Sequence, residues 1–188
     1  MVGILSLWAP IVLAAVLVFV ASSIIHMFLP YHRSDFDKVA DEDGVMAALR
    51  PFAIPPGEYL VPNAGGRADV MKSDEFKEKV RKGPVAFFTV MDPASTLNMG
   101  PQLGQWFVYC LVVSVFAAYL TGRTMAPGDE YLAVFRVAGA TAFACYGFAI
   151  WQRSIWFKQR WSTTLKSTLD SLIYALLTAG SFGALWPS

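Results

Sequence analysis

The chain has 188 residues, 55% of them hydrophobic and only 15% charged, whereas about a quarter of an ordinary soluble domain is charged. Net charge is +1, with no run of like charge and no basic stripe with interleaved aromatics, so the usual electrostatic footprint for nucleic acid is missing. The charges are also segregated: 20 of the 29 Asp, Glu, Lys and Arg residues lie at positions 31–100, and most of the rest is apolar.

Residues 4–30 carry no charged side chain and suffice to cross a hydrocarbon core of ~30 Å at about 1.5 Å per residue. They read as a membrane span. A cleaved signal peptide is not expected, because positions 1–6 offer no basic residue. Pro10 falls in the first turns of the span, where its missing N–H does least damage.

Residues 31–100 are too patterned for a bare linker. Asp41 is placed to cap a short helix reaching Arg50, which Pro51 halts. Ser73 caps a second helix, with Asp74 and Glu75 in its first turn, Arg81 and Lys82 in its last, and Gly83-Pro84 as its stop. Around that helix lie two short β-type runs, 58–61 and 85–90, bounded by Pro and Gly. Together they predict a small α/β lobe, marginal for independent stability and expected to lean on the helical bundle or on a partner.

Three more spans are expected at 101–122, 130–152 and 164–186, the third with Arg136 inside it and the fourth with Asp170. Gly100-Pro101 opens the second, and Pro127-Gly128-Asp129 makes the second and third antiparallel neighbours. The fold class is thus an all-α integral membrane bundle of four transmembrane helices, with a small cytoplasmic α/β lobe between helices 1 and 2.

Orientation follows from basic residues beside the spans. The expected loop at 153–166 holds Arg153, Lys158, Arg160 and Lys166 with no acid, whereas the connection between spans two and three pairs Arg123 with Asp129 and Glu130. Loops 31–100 and 153–166 are therefore expected in the cytoplasm and both termini outside, in a bacterial inner membrane. Trp8 and Trp186 then fall at the outer interface, and Trp106, Trp151, Trp156 and Trp161 at the inner one.

The stretches 23–35 (SIIHMFLPYHRSD), 83–89 (GPVAFFT), 99–109 (MGPQLGQWFVY), 131–139 (YLAVFRVAG) and 153–186 resemble an uncharacterised bacterial family of small four-helix membrane proteins with no assigned activity. The resemblance covers most of the chain. It implies the same topology and transfers no functional residue.

Intramembrane polar residues are the candidate sites. Thr163, Ser167, Asp170, Tyr174, Thr178 and Ser181 recur at spacings of three and four, so they share one helix face, which should turn inward to make interhelical hydrogen bonds or line a polar pathway. In the third span, Ala138 with Ala142, Ala140 with Ala144, and Gly139 with Gly147 predict close packing and the most buried helix. Arg136 lies roughly 7 Å inside the outer end at helical rise, within reach of the interface by snorkelling, with an anion site as the alternative.

His26 and Asp170 fall at one depth, roughly 6 Å and 5 Å inside the same leaflet at helical rise. Asp170 is expected to contact His26, with Tyr109 as the other partner and Tyr174 a further hydroxyl in reach; the alternative is that Asp170 merely reaches interfacial water. No cofactor or metal is expected. Haem between helices needs two histidines at membrane depth, but His32 lies beyond Pro30 among charged residues. Zinc takes three or four ligands, and no Cys or His cluster stands in the sequence. The acids Asp35, Asp37, Asp41, Glu42 and Asp43 lack the glycine and the bidentate glutamate of a calcium loop. No nucleophile elbow, Walker loop or dinucleotide fingerprint occurs, so no catalytic residue is assigned.

The function read from this is a non-enzymatic, partner-binding or accessory subunit of a membrane assembly. The alternative is a small oligomeric transporter or channel using the polar face of helix 4. Expected partners are the lipid bilayer and other membrane subunits or further copies of the chain.

Overall fold

In the computed structural model, which describes residues 1–188, a 3-10 turn at Ile4–Leu7 leads into α1 (Trp8–Phe28), and a second 3-10 turn follows at Pro30–Ser34. Then come α2 (Glu42–Leu49), β1 (Gly57–Val61), α3 (Ala68–Lys72), α4 (Asp74–Lys82), β2 (Ala86–Val90) and α5 (Pro93–Leu97). The chain returns to long helices with α6 (Gly100–Thr124) and α7 (Tyr131–Phe143), the latter continued by a π-helical segment, Ala144–Phe148, and by α8 (Trp151–Phe157). The last helix is α9 (Trp161–Ala184).

The chain divides into two units, residues 1–37 with 100–188, and residues 38–99. In the first, α1 packs on α6 and α9, and α7 packs on α6 and α9, which closes a four-helix bundle. Three of its helices, Ile4–Phe28, Gly100–Thr124 and Tyr131–Phe157, are long and apolar enough to cross a membrane. The fourth, α9, falls outside that set because its sequence alternates leucines with Ser, Thr and Asp170. Its exterior carries Leu165, Leu169, Leu172 and Leu176, all exposed, while Thr163, Asp170, Tyr174, Thr178 and Ser181 are buried.

Small side chains set the interhelical spacing. Ala14, Ala15, Ala117, Ala118, Ala138, Ala142 and Ala179 are wholly buried, as packing without a strong hydrophobic drive between helices requires. A Cβ built on Gly139 would stand 3.0 Å from the Ala179 Cβ, so that crossing admits no larger residue unless the helices part. Leu7, Val134 and Phe182 fill the core at one end, and Val18, Ile25, Val113 and Tyr146 fill it at the other. The connection between α6 and α7 is tied to the chain's end, where Trp186 Nε1 donates to the Ala126 carbonyl at 2.8 Å and the Gly128 N–H donates to the Pro187 carbonyl at 2.9 Å.

Three expectations are corrected here. The lobe, expected to begin at residue 31, begins at 38, because residues 31–37 belong to the helical unit, where Lys166 and Arg160 bind them. The segment 153–166, expected as a loop, is mostly helix, since it holds no Pro or Gly; the reversal takes only Lys158, Gln159 and Arg160, with Lys158 in the left-handed region at φ 59°. Nor is the third span the most buried: α9 buries ten residues, against seven over the whole of Tyr131–Phe157. Ala140 and Ala144 face outward.

Residues 38–99 form a small α/β unit. The Asp41 carboxylate accepts from the Gly44 N–H at 2.9 Å and caps α2, and Ser73 Oγ accepts from the Phe76 N–H at 3.2 Å and caps α4. Gly83, at φ 60°, ends α4. β1 and β2 pair antiparallel, with Gly57 opposite Val90 and Val61 opposite Ala86, and Tyr59 stacks on Phe88 at 5.4 Å. No residue from 38 to 99 is buried.

Candidate polar and metal-capable site of the helical unit

The site begins with a proline. Leu29 is held extended at ψ 135° because Pro30 follows it, so α1 must stop, and Pro30 opens a 3-10 turn. That turn carries Tyr31, His32 and Asp35 back against α9. Two cations bind it there, Lys166 of α9 and Arg160 just before that helix. Lys166 Nζ donates to the Tyr31 carbonyl at 2.5 Å, to Ser34 Oγ at 2.9 Å and to Asp35 Oδ1 at 2.8 Å. Arg160 pairs with Asp37 through both guanidinium nitrogens.

Asp170 follows Lys166 by one turn on the same helix face and is only 3% exposed. Its Oδ1 accepts from the Tyr31 hydroxyl, and its Oδ2 lies 2.8 Å from His32 Nε2. The other ring nitrogen, Nδ1, lies 2.6 Å from Asp35 Oδ2. The His26 ring packs on the His32 ring with 4.4 Å between centroids. The potential ligand atoms of His26, His32 and Asp170 all lie within 4.8 Å of one another.

The local electrostatics fit this arrangement. Burial raises the Tyr31 phenol well above its ordinary value, and the hydrogen bond to Asp170 adds to this, so Tyr31 stays a neutral donor. Burial pushes the Asp35 carboxyl up, but hydrogen bonds from Lys166 and His32 outweigh it and hold Asp35 below the usual carboxylate range. A neutral imidazole carries one ring hydrogen, so with a carboxyl group at each nitrogen a further proton or a metal ion has to lie on one of the two contacts.

One turn beyond Asp170, Tyr174 joins Trp106, Tyr109 and Tyr146 in an aromatic cluster with neighbouring centroids 5.5 to 6.3 Å apart. Trp106 Nε1 donates to Ser22 Oγ at 2.7 Å, so this indole is a bundle residue more than an interfacial anchor. Tyr109 donates to the Cys145 carbonyl at 3.0 Å and Ser171 donates to the Tyr146 carbonyl at 3.1 Å. Both accept positions lie in the π-helical segment, whose widened register leaves carbonyls available.

The expected contact of Asp170 with His26 or Tyr109 is therefore corrected. His26 does share its level and its neighbourhood, but the carboxylate's hydrogen bonds go to Tyr31 and His32, because the Pro30 turn lays those residues over α9. Tyr109 is engaged with Cys145 instead. The Tyr174 hydroxyl is buried without a hydrogen-bond partner, and Arg136 is exposed on α7 and takes no part. The expectation that no histidine cluster exists is corrected too, since His32 folds back beside His26. With 4.4 Å between their centroids, the two rings as placed leave no space for a macrocycle between them. Sequence reasoning missed Tyr31, His32, Asp35 and Lys166. The signals were the i, i+3 spacing of His32 and Asp35 within a Pro-initiated turn and the i, i+4 spacing of Lys166 and Asp170.

Within the α9 stripe, Thr178 and Ser181 donate to their own helix, at the carbonyls of Tyr174 and Leu177, whereas the Thr163 and Tyr174 hydroxyls are buried without a partner; Ser171, beside the stripe, donates to the Ser167 carbonyl as well. Comparison of the chain with protein-family models, with curated proteins and with solved structures gives no match.

Proposed function

We propose that this chain is a four-span protein of a bacterial inner membrane that acts as a non-enzymatic, partner-binding subunit of a larger membrane assembly. The observation that carries the reading is the 38–99 unit, in which no residue is buried although Met46, Phe52, Phe87, Met91 and Met99 are exposed. A unit of this size without a core gains its stability by covering such side chains with another surface. The occupant proposed is a second membrane protein.

Support for α9 as the fourth span comes from its inverted amphipathicity. A helix that turns leucines outward at 165, 169, 172 and 176 and buries Ser, Thr and Asp suits a bundle surrounded by hydrocarbon. The resemblance to small bacterial membrane proteins belongs to the same reading. A transporter or channel is the less favoured alternative, because Thr178 and Ser181, two of the hydroxyls that would line a path, are bonded to their own backbone.

The experiment is purification of the full chain from its native membrane in mild detergent, with cross-linking and mass spectrometry. The reading expects one recurrent membrane protein cross-linked through the lysines of α4. A chain recovered alone, with α4 lysines linked only to itself, removes the proposal. Ion flux in liposomes that Asp170→Asn abolishes would put the transporter in its place.

A further inference from the structure

We infer that His26, His32 and Asp170 bind one divalent transition-metal ion of the zinc class, with Asp35 as the group that orients His32. Two imidazoles and one carboxylate are donors of the type such ions take, at about 2.0–2.2 Å each. Donor atoms on a tetrahedral centre at those lengths stand roughly 3.3 Å apart. The three here lie within 4.8 Å of one another, so changes in separation of at most about 1.5 Å bring them to that spacing. His32 Nε2 and Asp170 Oδ2, now at 2.8 Å, have to part by only about 0.5 Å.

The surroundings are those of a metal site as well. A ligating histidine commonly donates its second N–H to a carboxylate, which fixes the tautomer and aims the free lone pair. His32 has that partner at 2.6 Å in Asp35, and Asp35 is itself fixed by Lys166 at 2.8 Å. Tyr31 bonds Asp170 Oδ1 and leaves Oδ2 toward the histidines. The outer partners are therefore assembled around both His32 and Asp170.

The competing occupant of the gap between His32 and Asp170 is a proton held between the two groups. A proton there satisfies the contact but gives His26 no role. A metal ion uses all three groups. Because His26 lies in the last turn of α1 and is exposed, the ion has access from outside the bundle. With three protein ligands a fourth coordination position is left to water or to another molecule.

The test uses the full-length protein in detergent, stripped with a chelator and then titrated with Co²⁺ as a spectroscopic probe, with Zn²⁺ added as competitor. The expected result is one equivalent of Co²⁺ with ligand-field absorption of N/O coordination, displaced by one equivalent of Zn²⁺. His26→Ala is the decisive variant, since His26 is exposed and its ring makes no hydrogen bond, so its loss leaves the Asp170 network in place. It should weaken binding by about 100-fold or more, and Asp35→Asn by about 10–100-fold, the usual effect of losing an outer partner. Absence of stoichiometric Co²⁺ binding overturns the inference, and so does an affinity in His26→Ala within about twofold of the parent; the second outcome would assign the ion to other groups. The readout needs no partner protein, so its failure is separate from failure of the subunit reading.

Discussion

Asp170, buried near the middle of the last helix, holds His32 at 2.8 Å although 138 positions separate them in the chain. The contact joins the turn after α1 to α9, and with it the first and last long helices of the bundle. Replacing Asp170 by Asn removes the charge while keeping the shape. Hydrogen bonds to charged groups contribute about 1.5–3 kcal/mol each, so Asp170→Asn in metal-free protein should lower stability by about 2–3 kcal/mol in a detergent unfolding titration. A loss below about 0.5 kcal/mol, the range of ordinary surface substitutions, would mean that the buried pair is not holding the turn.

Coupling distinguishes the two histidines. Contacting residues show interaction energies of about 0.5–3 kcal/mol in double-mutant cycles. His32→Ala combined with Asp170→Asn should fall in that range without metal, whereas His26→Ala with Asp170→Asn should be close to additive under the same conditions. The reverse order would place His26, not His32, on the carboxylate.

Lys166 carries three bonds to the turn, to Tyr31, Ser34 and Asp35. In Lys166→Met the turn loses its tether while the aliphatic stem is kept. Hydrogen exchange should then rise by an order of magnitude or more across residues 31–37, about the effect of 1.4 kcal/mol on a local opening equilibrium, with α6 and α7 unchanged. Equal acceleration over all helices would indicate global destabilisation instead.

Close helix approach at Gly139 gives a packing prediction with an internal control. Gly139→Val must displace Ala179 and should cost about 1–3 kcal/mol, as overpacking usually does. Ala140→Val, on the exposed side of the same helix, should be nearly neutral. Thermal unfolding of both variants in one detergent reads the difference, and comparable losses would contradict the assigned faces.

Topology is read by reporter fusions. Alkaline phosphatase joined after Arg67 or Lys158 should be inactive, and joined after Gly128 or Ser188 active, if basic flanks stay in the cytoplasm and α9 crosses the membrane. Activity after Arg67 reverses the orientation. Matching results after Lys158 and Ser188 would leave three crossings.

Local elements needed only the sequence. Uninterrupted apolar length determines the three apolar helices, since every backbone polar group must be bonded within the helix where water is absent. Asp41, Ser73 and Gly83 determine the ends of the short helices through caps whose bonds reach only three or four residues. The inward polar stripe of α9 was legible for a similar reason, since a period near 3.6 puts those residues on one face. What tertiary structure alone decided is the company those residues keep. Nothing local says that the chain after Pro30 doubles back on α9 instead of entering the lobe, because that direction is set by Lys166 and Arg160, more than a hundred residues later. His32 thus moves from a charged linker to the side of His26 and Asp170. Three residues without a sequence motif between them become one site, since the buried Asp170 carboxylate finds its phenol and its imidazole, with the second ring beside them, only in the folded bundle.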